Sequence, residues 1–110
     1  MEEVKLSLIK KAIEDKKGEN IEVYDVSEQS PFFNSIVIAT ILNKKNGEAI
    51  ADEIERVVAS IGEPVKNIEG KRGSEWILID CGDILVHLFT VSERIRINLE
   101  QLLRNSIRGE

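Results

Sequence analysis

At 110 residues, with 42% hydrophobic and 32% charged residues, the chain has enough apolar content to bury one core without disulfides or metal. Acids outnumber bases by 20 to 15, a formal net charge of -5. That balance argues against nucleic acid as the primary contact, because phosphate neutralisation drives such binding; a basic protein partner suits the charge better. No apolar run is long enough to cross a membrane, and the charged start Met1-Glu2-Glu3-Val4-Lys5 lacks the apolar core of a secretory signal. Cys81 is the only cysteine. The expectation is therefore a single cytoplasmic domain, residues 1–110, with no internal disulfide.

Leu6, Ile9 and Ile13 recur at helical spacing and predict a helix over about residues 3–16. Gly18 offers it a stop, with Lys16 and Lys17 favourable near the C-terminus. Residues 21–26 are rich in β-branched side chains and read as a strand. Residues 27–33 contain Pro31 and read as a turn or short helical piece. Residues 35–42 are nearly all apolar, which suits a strand covered on both faces. Asn43 can then cap a helix whose stripe is Ile50, Ile54, Val57, Val58 and Ile61, ended by Gly62 and Pro64. A short strand follows over residues 65–69. This strand–helix–strand run predicts a βαβ crossover with parallel strands.

Residues 76–80 and 84–90 read as two more strands, with Cys81-Gly82 as the two-residue turn of a hairpin. Ile95, Leu99, Leu102 and Leu103 form an amphipathic helix, with Asn98 and Gln101 spaced as a cap. The outcome is an α/β fold: a mixed five-stranded sheet with helices on its faces.

Few residues carry catalytic promise. Asp80-Cys81-Gly82-Asp83 could be an acid pair or metal site, but Asp and Gly also favour tight turns, and the turn is the stronger reading. Cys81 and His87 are each alone of their type, short of the four ligands a zinc site uses. A Cys–His nucleophilic pair would need an orienting group, and none is visible. Phosphate-loop motifs are missing; the Glu69-to-Gly73 loop has glycines and bases but reads as an exposed connection. Trp76, the one tryptophan, is either core or an interface anchor, and its place at a sheet margin favours the anchor.

Glu69-Gly70, a short charged loop, and then Glu75-Trp76-Ile77-Leu78-Ile79-Asp80-Cys81-Gly82-Asp83-Ile84-Leu85-Val86-His87-Leu88-Phe89 resemble the signature of the RsfS/Iojap family of ribosomal silencing factors. Residues 16–27, 49–55, 93–94 and 99–102 resemble other segments of the same family, in the same order. Cys81 stands where an aromatic or aliphatic residue is usual, Leu103 replaces a closing Trp, and a Tyr near Ile97 is missing. Residues 40–47 also depart from the family's pattern.

The resemblance implies a nucleotidyltransferase-like fold without that active site, no enzymatic activity and no cofactor. It implies binding to the large ribosomal subunit through its ribosomal protein fourteen, where the small subunit docks, and so a steric block to subunit joining. Trp76, Leu78 and Asp80 share a strand face, with Glu69 and His87 near them; these five are the expected partner surface. Two rival functions stand beside it: a divergent Mg²⁺-dependent nucleotidyltransferase using Asp80 and Asp83, and a dimeric scaffold with no ribosomal partner. An exposed apolar partner surface also leads to the expectation of a weak homodimer in the isolated protein.

Overall fold

The computed structural model describes residues 2–70 and 73–107; Lys71 and Arg72, the bases of the charged loop, lie outside the described residues. The strands are β1 (Glu19–Asp25), β2 (Ser35–Ile41), β3 (Asn67–Glu69), β4 (Trp76–Asp80) and β5 (Ile84–Thr90). The helices are α1 (Glu2–Asp15), α2 (Lys44–Ala59), α3 (Val91–Ile97) and α4 (Leu99–Ile107). One mixed sheet runs in the order β1-β2-β5-β4-β3. β2 and β5 pair in parallel, and the other three pairs are antiparallel. The two parallel strands sit in the middle of the sheet, and their continuous apolar runs fit burial on both faces.

The predicted βαβ unit is present, with two strands between its own. β3 runs in the same sense as β2, as expected, but β5 and β4 lie between them, so α2 carries the chain past two strands. The parallel neighbour of β2 is β5, which arrives later in the chain.

Three local readings also shift. The α1 end is closed by Lys17 at φ 73°, while Gly18 N–H donates to the Ile13 carbonyl at 2.8 Å. Gly18 is needed for space: a Cβ there would stand 2.4 Å from Ile13 Cγ2. The hairpin turns one residue later than Cys81-Gly82. Cys81 N–H bonds the Ile84 carbonyl at 2.9 Å, so Gly82 and Asp83 form the turn. Gly82 takes φ 95°, the left-handed position that a type II′ turn demands of its first residue.

The C-terminal helix is two helices. Asn98 takes φ 51° and donates its N–H to the Arg94 carbonyl, closing α3 rather than capping α4 through a side chain. This breaks the helical phase, so Ile95 and Leu102 are exposed while Leu99 and Leu103 pack inward. Asn43 does cap α2, accepting from Asn46 N–H at 2.7 Å.

α1 and α2 cover one face of the sheet. Ile9, Ile13, Ile50, Ile54 and Val58 meet Val37, Ile77, Ile79 and Val86 in the main core. The opposite face holds a smaller cluster: Val26, Ile38, Phe89 and Leu103, with Leu99 and Trp76 packed against it. Leu99 and Leu103 of α4 pack on that cluster, and further along the same face Trp76, Leu78 and Asp80 of β4 are half-buried and Glu69 of β3 is exposed.

Candidate functional site

Period-two alternation sends Ile77 and Ile79 of β4 into the helix-covered core. It therefore sends Trp76, Leu78 and Asp80 to the other side, where each is half-buried. The register of the neighbours builds a small array. Trp76 faces Phe89, Leu78 faces His87 on one side and Glu69 on the other, and Asp80 faces Leu85 and Asn67. All five residues expected at a partner surface thus lie on one face of three adjacent strands.

Their exposure differs. Glu69 is exposed, and Trp76, Leu78 and Asp80 are half-buried. His87 is only 7% exposed. Glu69, Gly70, Trp76 and Leu78 line a shallow pocket of about 280 Å³. Trp76 is thus neither a core residue nor a free one: its ring lies 5.1 Å from that of fully buried Phe89, while part of its surface stays in water.

His87 supports that ring. It stacks on Phe89 with 6° between planes, and Trp76 Nε1–H donates to His87 Nδ1 at 3.1 Å. An indole nitrogen only donates, so Nδ1 accepts and the imidazole is neutral, with its proton on Nε2. Burial pushes the His87 pKa down to about 4, which keeps it in this form. The histidine orients the tryptophan; its ring is held too deeply to act as a neutral-pH acid or base.

The two carboxylates of the hairpin part company. Asp80 Oδ1 accepts from Gly82 N–H at 2.9 Å and braces the turn from the open face. Asp83 Oδ1 instead accepts from Lys5 Nζ at 2.9 Å. Lys5 comes from α1, is 3% exposed, and also bonds Glu63 at 2.9 Å and the Cys81 carbonyl. Burial disfavours its charge, but the bonds and charges of Glu63 and Asp83 outweigh that and leave its pKa raised. Asp80 and Asp83 therefore serve different partners and do not converge on one point. Among the described residues, no three His, Cys, Asp or Glu side chains gather as a metal site would require.

Cys81 and His87 also fail to meet. Cys81 belongs to the helix-covered core and His87 to the opposite face. Burial pushes the Cys81 thiol up to about 12, far from a nucleophilic thiolate.

Leu85 shares the β5 face of His87 and stands opposite Asp80, so alternation extends the array by one apolar residue beyond the five expected. Lys5, which ties α1 to the hairpin, carries no such signal in the sequence, since a lysine in an amphipathic helix normally points to water. Arg94 is a second tie. Its Nε bonds Glu100 at 2.7 Å, and its Nη1 bonds the Asn20 carbonyl and Thr40 Oγ1 at 2.7 and 2.8 Å. It joins α3 and α4 to the β1-β2 end of the sheet.

A family model described as "Ribosomal silencing factor during starvation" matches residues 1–110. The chain belongs to the ribosomal silencing factor family. It is 35% identical over 97 residues to the ribosomal silencing factor RsfS of Halalkalibacterium halodurans, covering 88% of this chain and 83% of that one. The RsfS of Bacillus subtilis is likewise 35% identical over 97 residues, covering 88% and 82%. A crystal structure of a Chromobacterium violaceum protein superposes with a TM-score of 0.88 at 28% identity, covering 92% of this chain and 84% of that one. Family membership thus agrees with a fold whose polar groups support a surface more than a reaction centre.

Proposed function

We infer that the chain is a cytoplasmic binding module of one domain, residues 1–110, that silences ribosomes by docking on the large subunit and blocking subunit joining. The partner it fits is a basic ribosomal protein at the subunit interface, with large-subunit ribosomal protein fourteen as the specific expectation. The observation that carries this reading is the convergence of Trp76, Leu78, Asp80, Glu69 and His87 on one face of β3, β4 and β5, opposite the face that α1 and α2 cover. Its centre is apolar and aromatic, its margin carries Glu69 and Asp80, and the net charge of -5 complements a basic surface. Steric exclusion needs affinity and shape rather than bond chemistry, which fits a histidine and a cysteine both buried and inactive.

The test is co-sedimentation with purified large subunits, followed by a subunit-joining assay. The chain should pellet with large subunits and keep small subunits from joining them. Full joining in the presence of bound chain would overturn the steric mechanism; no pelleting would overturn the docking. Titration with ATP, CTP and Mg²⁺ should give no heat, and micromolar metal-dependent binding would restore the nucleotidyltransferase reading. The isolated chain should also show weak concentration-dependent dimerisation by light scattering, because Leu42, Val91, Ile95 and Leu102 are all more than half exposed.

A further inference from the structure

We propose that α4 forms a second wall of the docking face and that Leu102 is the contact it supplies to the ribosomal partner. This rests on the docking reading above. α4 turns Leu99 and Leu103 down onto the sheet. Its Glu100 and Arg104 flank faces β1: Glu100 holds Arg94, which reaches the Asn20 carbonyl, and Arg104 lies 3.9 Å from Glu22. Leu102 is two residues from both Glu100 and Arg104, about 200° around the helix from each. It therefore stands on the opposite flank, on the side of the sheet where β5 and β4 follow β2.

Leu102 is 67% exposed, a large apolar side chain left mostly in water. The floor is continuous with the helix, since Trp76 packs against the same cluster as Leu99 and Leu103. The face thus has an apolar wall at Leu102, an aromatic floor at Trp76 and an acidic margin at Asp80 and Glu69. The occupant this arrangement suits is a basic protein surface that seats an apolar side chain between Leu102 and Trp76 and sets its cations against the two carboxylates.

Co-sedimentation of the full chain with large subunits tests this. Leu102→Gln removes apolar character without adding charge, and the position is exposed enough for the fold to survive. It should weaken association about tenfold, as loss of one apolar contact near an anchor does. Ile95→Gln changes an equally exposed residue, 74%, on α3 and should leave association unchanged. Leu102→Gln pelleting like the parent, while Trp76→Ala is lost, overturns the α4 contact and spares the docking face. If Leu102→Gln and Ile95→Gln weaken binding equally, the effect is not local and the proposal also falls. If Trp76→Ala and Leu102→Gln both bind fully, the docking face itself is the wrong surface.

Discussion

The two faces of the β4–β5 hairpin are built by the same ten or so residues and do opposite things. Ile77, Ile79, Ile84, Val86 and Leu88 point one way and are fully buried under α1 and α2. Trp76, Leu78, Asp80 and Leu85 point the other way and stay half in water. A single strand pair thus supplies stability from one set of alternate residues and a surface from the other. The cost of changing a residue should depend on its parity more than on its chemistry.

The largest effect should fall on the covered face. Ile79→Ala opens a cavity in a packed core and should cost about 2–5 kcal/mol of stability, read by denaturant unfolding. Leu78→Ala, one residue away, should cost less than about 1 kcal/mol because its site is already partly solvated. Equal losses at both positions would break the comparison.

The next effect tests the histidine under the tryptophan. The folded pKa of His87 is about 4, below its usual 6.5, so the unfolded chain takes up the proton first. Above pH 6.5 this group adds no pH dependence. As pH falls from 6.5 towards 4, stability should drop by up to about 3 kcal/mol in total. His87→Leu should flatten that part of the stability–pH curve, and an unchanged slope would mean that His87 is not held neutral by burial.

Lys5→Met should be milder. It leaves Glu63 and Asp83 without their cation, but both carboxylates are over a third exposed and can be rehydrated. A loss of about 1–2 kcal/mol is expected in a thermal or denaturant melt. A neutral result would mean that the ties between α1 and the hairpin contribute only specificity.

How much of this was legible in the sequence follows the range of the interaction. The bounds of β4 and β5 could be read to the residue, because alternation and the Asp-Cys-Gly-Asp turn chemistry are local. Asn43 was legible as a cap for the same reason. The neighbour of β2 was not, because pairing with β5 joins residues some fifty apart and leaves no mark in either strand. The stripe of Ile95 and Leu102 misled because one left-handed residue, Asn98, resets the helical phase without interrupting the apolar pattern. Parity was enough to place Trp76, Leu78 and Asp80 on one strand face. The burial of His87, opposite half-buried Leu78, was not legible, because it depends on cross-strand packing with Trp76 and Phe89. Lys5 looked like a surface residue in sequence and is buried by a turn 76 residues away.

The most direct test of the central claim measures stability and ribosome association on the same Trp76→Ala protein. The expected result is a folded domain that loses about 2 kcal/mol or more of binding to purified large subunits and no longer blocks joining of small subunits. A folded Trp76→Ala chain that pellets fully with large subunits and still blocks joining would contradict it.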